Sequence, residues 1–78
     1  MEKKLKEIVG QVLGVPPETL SGNSSPDNVD GWDSIKSMNI ILALEEEFGV
    51  EFNDEEISTM LNFGLIHLTL EEALKRAG

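Results

Sequence analysis

The apolar positions of this 78-residue chain fall into runs of helical spacing separated by polar interruptions. Leu5, Ile8, Val9, Val12 and Leu13 follow i, i+3, i+4, i+7, i+8, which predicts an amphipathic helix from Glu2 to Leu13. Gly14 would end it. Ile35 to Phe48 holds neither Pro nor Gly and predicts an uninterrupted helix of about 14 residues, with Asp33 or Ser34 as its N-cap. At about 100° per residue, Ile40, Ile41, Leu44 and Phe48 gather on one side, while Ile35, Met38 and Leu42 extend the apolar arc along an adjoining side. That arc is wider than one contact surface needs. Asn39, Ala43, Glu46 and Glu47 fill the opposite side, with Glu45 beside the second apolar group.

Between these helices, Val15 to Gly31 forms a long connection rich in Pro, Gly, Asn and Ser, in which Val15, Leu20, Val29 and Trp32 are spaced like anchors pinning a loop to a core. Gly49 breaks the second helix. Asn53 with Glu56 makes a pair of capping-box type, and the acids of Asp54-Glu55-Glu56 suit the positive end of a helix dipole. A short third helix, about Asp54 to Leu61, is expected to bury Ile57, Met60 and Leu61, with Asn62-Phe63-Gly64 interrupting it. Gly64 to Leu68 is open between loop and helical turn. Thr69 with Glu72 is a second capping-box pair and predicts a final helix through Leu70, Ala73 and Leu74, closed by Lys75 and Arg76 at the negative end. The fold class is therefore all-α: a small four-helix bundle with a long first loop, residues 1–78 forming one domain.

Composition narrows the function. The chain is 40% hydrophobic, enough for a small helical core, but only Trp32, Phe48, Phe52 and Phe63 are aromatic. Fifteen acids against six bases give a formal net charge of −9, which argues against nucleic acid and anionic membranes and for partners with basic surfaces. The acidity is concentrated: Asp27 to Glu56 carries ten acids and one base, Lys36, whereas residues 1–22 have three of each. No apolar run reaches the length of a membrane span, and the Met-Glu-Lys-Lys start lacks the apolar segment of a signal peptide. With no Cys, a cytoplasmic location is the default.

Few residues offer chemistry of their own. His67, the single histidine, has no Cys or carboxylate at ligand spacing and reads as a surface or packed side chain, so no metal is expected. Asp27, Asp30 and Gly31 invite a calcium-loop reading. Placing Gly31 at that loop's required glycine, however, puts Pro26 and Ser37 where Asp and Glu are needed. Asp33-Ser34 is read at its simplest as a helix cap, and no neighbour in sequence would make Ser34 a nucleophile. A catalytic residue is not evident.

Gly31-Trp32-Asp33-Ser34-Ile35, followed by Met38, Ile40, Ile41, Leu44 and then Glu45-Glu46-Glu47-Phe48-Gly49-Val50, resembles the acyl carrier protein family. The family motif is Asp-Ser followed by an aliphatic residue, most often Leu; Ile35 is a mild departure. The resemblance extends loosely over nearly all of the chain, and Gly64 to Leu68 sits where the family has only a brief connection. It implies that Ser34 carries 4′-phosphopantetheine through a phosphodiester placed by a separate holo-synthase, with Asp33 and Ile35 completing the recognition motif. It also implies partner contacts at Met38, Asn39, Leu42, Glu45 and Glu46, in a monomer that presents acyl thioesters to enzymes of fatty acid, polyketide or specialised lipid biosynthesis. The alternatives are a stand-alone peptidyl or aminoacyl carrier and an unmodified acidic interaction module. A helix N-terminus suits an attached phosphodiester, although Asp33 adds a like charge. A prosthetic thiol would supply what a chain without Cys lacks. Ile35, Met38 and Leu42 are expected to be partly exposed beside Ser34, touching partners or flanking an acyl-binding interior. The Glu45-Glu46-Glu47 run is either a solvated helix face or a docking site for Lys and Arg.

Overall fold

Seen in a computed structural model that describes residues 1–77, the chain forms four helices and, among those residues, no strand. They are α1 (Glu2–Leu13), α2 (Ser34–Phe48), α3 (Asp54–Thr59) and α4 (Phe63–Ala77), with one 3₁₀ turn at Pro17–Thr19 in the first connection. Gly14 and Gly49 close α1 and α2 in the left-handed conformation, φ 73° and 65°, which a residue without Cβ adopts at little cost. Both stops lie where the sequence put them. No helix among the described residues is long and apolar enough to cross a membrane.

The core is built from three helix faces: Leu5, Val9 and Leu13 of α1, Ile40, Ile41 and Leu44 of α2, and Phe63, Ile66, Leu70 and Ala73 of α4 are all buried. Residues outside the helices close its edges. Leu20 and Trp32 from the first connection are buried, and Val15 and Val29 pack half-buried against the same core, so the loop is pinned as its apolar spacing suggested. Val50, Phe52 and Met60 do the same around α3.

Two expectations fail in the second half. α3 ends at Thr59, not near Leu61, and Leu61 is 66% exposed rather than buried. α4 begins at Phe63, so Gly64 to Leu68 is helical, and Thr69 is a buried residue inside the helix rather than its cap. The reason is that Phe63, Ile66, Leu70 and Ala73 already carry the burying face at i, i+3, i+7, i+10. The cap is Asn62: its Oδ1 accepts from the N–H of Leu65 at 2.8 Å and its carbonyl from that of Ile66 at 2.9 Å. The N–H groups of Phe63 and Gly64 donate to the carbonyls of Ser24 and Gly22, at 2.8 and 3.1 Å, in the first loop. Gly64 permits this approach, since a Cβ there would stand 3.0 Å from the Gly22 carbonyl oxygen.

α3 starts with the expected capping box: Asn53 Oδ1 accepts from the N–H of Glu56 at 2.8 Å, and Glu56 Oε1 accepts from that of Asn53 at 3.0 Å. Glu56 also meets Arg76 of α4, whose Nη1 lies 2.6 Å from Oε2 and whose Nη2 lies 3.0 Å from Oε1. Hydrogen bonding from Arg76, and after it from the Asn53 N–H, holds the Glu56 carboxyl below its ordinary value of 4.5.

Two outcomes are expected. Asn62→Ala should cost about 1 kcal/mol in urea denaturation, whereas Glu72→Gln should stay within about 0.5 kcal/mol, because the working cap is Asn62. For Glu56 the depressed native pKa means a stabilisation that is complete above about pH 4.5 and lost as pH falls through the lower, folded-state value. The stability difference between the native chain and Glu56→Gln, measured in urea from pH 7 downwards, should therefore be constant to about pH 4.5 and shrink below it. A difference that grows on acidification contradicts the assignment.

Candidate functional site

The approach to α2 is rigidified before the helix begins. Asn28 Oδ1 accepts from the N–H of Ser25 and Ser25 Oγ from that of Asp27, and the Ser25 carbonyl accepts from Asn28 and Val29. Trp32 N–H then donates to the Val29 carbonyl at 3.2 Å. Its indole is 4% exposed, and the Nε1–H donates to Ser37 Oγ at 2.8 Å, giving the buried ring a partner for its polar end. The loop is thus tied to the first turn of α2.

Asp33, in extended backbone (φ −118°, ψ −173°), is the N-cap. Its Oδ1 accepts from the N–H of Lys36 at 2.8 Å and its carbonyl from that of Ser37 at 2.9 Å. Ser34 is the first helical residue and is exposed. Its N–H and that of Ile35 are the two in the first turn that Asp33 does not serve, and they lie at the positive end of the dipole of a 15-residue helix. Ser37, one turn on, is half-buried with its hydroxyl engaged by Trp32.

Ser34 stands at the rim of a cleft of about 280 Å³. Ser37, Met38 and Ile41 of α2 line one side, Ile57 and Ser58 of α3 and Met60 and Leu61 of the following link the other, with Ile66 of α4 between them. Ile57, Met60, Leu61 and Ile66 are the site residues that the sequence did not reveal. Ile57, Met60 and Leu61 read as ordinary core, and Ile66 lies in the Gly64 to Leu68 stretch that the sequence leaves open, so none of the four carries a local signal for a cleft.

Along α2, Ile35, Met38 and Leu42 are 71%, 49% and 55% exposed, forming the apolar stripe that the wide arc predicted, while Ile40, Ile41 and Leu44 take the core. Asn39 and Glu46 are exposed. The three acids divide. Glu45 is half-buried with Oε2 accepting from the N–H of Phe52 at 2.9 Å, and Glu47 pairs with Lys4 of α1 at 2.8 Å. Glu46 has no partner among the described residues.

This small helical fold, with an exposed serine at the rim of an apolar cleft, has similar structures among known proteins. The chain superposes on the solution NMR structure of a holo acyl carrier protein from Geobacter metallireducens with a TM-score of 0.87 and 28% identity, covering 97% of this chain and 87% of that one. A holo acyl carrier protein from Nitrosomonas europaea matches with a TM-score of 0.79 and 33% identity, covering 95% of each chain. Residues 3–62 match the family described as "Phosphopantetheine attachment site". The chain belongs to that family and, within it, to the acyl carrier proteins: it is a carrier rather than a catalyst, and its prosthetic group is covalent 4′-phosphopantetheine.

The exposure of Met38 and Leu42 has a measurable consequence. Leu42→Ala and Met38→Ala should each cost less than about 1 kcal/mol in urea denaturation, whereas Leu44→Ala should cost about 2–5 kcal/mol. Comparable losses at all three positions would mean that the stripe is core.

Proposed function

We propose that Ser34 carries the 4′-phosphopantetheine arm, and that the chain is a single-domain cytoplasmic carrier delivering acyl groups to enzymes of fatty acid or related lipid and polyketide biosynthesis. The observation that supports Ser34 is its position: exposed, first in α2, and beside the two N–H groups of the first turn that Asp33 leaves to other acceptors. Those groups suit a phosphodiester oxygen. When bound, the arm supplies the terminal thiol on which an acyl group is held as a thioester.

The chain's own residues do the rest by shape and charge. Asp33 fixes the first turn and Trp32 the loop before it, so Ser34 is presented to a modifying enzyme in one backbone conformation. Ile35, Met38 and Leu42, with Asn39 and Glu46 beside them, offer a partner enzyme an apolar strip with a carboxylate, which fits a basic surface carrying an apolar contact. Glu45 belongs to that strip by position, but its bond to Phe52 means that replacing it disturbs the fold as well as docking. The apolar lining of the cleft favours acyl cargo over aminoacyl cargo.

Incubation with coenzyme A and a broad-specificity phosphopantetheinyl transferase should add one arm, which peptide mapping assigns to Ser34. Ser34→Ala should remain unmodified with an unchanged helical circular dichroism spectrum. An arm mapped to Ser37 or another serine would overturn the assignment.

A further inference from the structure

α3 is the outer wall of the Ser34 cleft and the least secured element of the fold. None of its six residues is fully buried. A helix so short is not self-sustaining, since isolated helices below about 12–15 residues are marginal in water, so its position is set by what grips it. At its far end the grip is apolar, through Met60. Ahead of α3 the chain is anchored by buried Phe52, whose N–H donates to Glu45 Oε2 of α2, while the polar grip that ties the first turn of α3 to α4 comes from one side chain. Arg76, in the last turn of α4, forks onto both oxygens of Glu56, and its Nη2 also reaches the carbonyl of Glu51 at 3.2 Å, just ahead of α3. Through Glu56 Oε1, which also accepts from the Asn53 N–H, the same guanidinium secures the capping residue. Ile57 and Ser58, which face α2 across the cleft, directly follow the clamped Glu56.

We propose that Arg76 is a positioning residue for the cleft: by holding the first turn of α3 to the end of α4, it sets how readily α3 swings away from α2 and how well a chain attached at Ser34 is shielded. The statement about α3 stands by itself, and the statement about a shielded chain rests on the reading of Ser34 given above. A bidentate pair at the surface is a weak contributor to global stability, but it is of the right size to govern the local opening of one short helix. Global stability resides in the faces of α1, α2 and α4, which Arg76 does not join. The clamp therefore separates local opening from unfolding.

The test has two arms. In the unmodified chain, Arg76→Ala should speed amide hydrogen exchange at Ile57, Ser58 and Thr59 about three- to fivefold, leaving Ile40, Leu44 and Leu70 unchanged. Arg76→Lys, which keeps a charge at the helix end but loses the fork, should behave like Arg76→Ala. Glu56→Gln keeps an acceptor for Asn53 and should reproduce the effect, and adding it to Arg76→Ala should produce no further change. In the chain loaded with an octanoyl thioester, hydroxylamine cleavage should accelerate by a similar factor in Arg76→Ala. Equal acceleration of exchange in α2 and α3, or none in α3, overturns the clamp. Faster exchange in α3 with unchanged thioester cleavage overturns its control of the cleft. Failure of Ser34 to accept the arm would sink the functional reading instead, and the exchange measurements on the unmodified chain would still decide the clamp.

Discussion

Four N–H groups at the start of α4 need acceptors, and the way they find them fixes the layout of the molecule. Two take carbonyls of the first loop, Ser24 and Gly22, and two take the side chain and carbonyl of Asn62. Buried amides left unpaired would cost about 1–3 kcal/mol each, so the loop is held against α4 and cannot stand free of the bundle. With Gly22 to Ser24 fixed there and Leu20 and Trp32 buried, the twenty-residue connection between Leu13 and Ser34 behaves as structure and delivers the chain to α2 in one place. The start of α2, and the serine on it, inherits its position from hydrogen bonds made at the other end of the sequence.

α2 then serves two ends at once. Its Ile40, Ile41 and Leu44 complete the core, while Ile35, Met38 and Leu42 stay in water. Those three contribute little to folding, and the apolar surface they expose is the kind that a partner covers. Acidic residues on the same helix are partly engaged by the fold: Glu45 satisfies the Phe52 amide and Glu47 meets Lys4, and Glu46 is the acid of the triplet with no partner among the described residues.

Much of this was legible in the sequence where the determining interactions are local. α1 and α2 end at their glycines, one of the two candidate caps, Asp33, caps α2, and Asn53 with Glu56 opens α3, because each feature depends on residues within a turn of one another. The width of the α2 arc announced the exposed stripe. The start of α4 was hidden because half of its cap lies some forty residues away, in Gly22 and Ser24, while Thr69 and Glu72 offered a local signature that the buried face from Phe63 onward overrides. Leu61 misled for a related reason: its spacing is right for a core position, but α3 stops at Thr59 and the following link turns it outward. The cleft itself belongs to α2, the α3 region and α4 together and leaves no mark on any one of them.

The bond between the Trp32 indole and Ser37 gives the molecule an optical property. The chain has one Trp and no Tyr, so its near-ultraviolet absorption and emission come mainly from a single ring. That ring is two residues from Ser34 and hydrogen-bonded into the same helical turn. Light therefore interrogates one helix entrance and not the average of the fold: emission from this protein is a native, label-free report on the first turn of α2, sensitive to whatever rests against it.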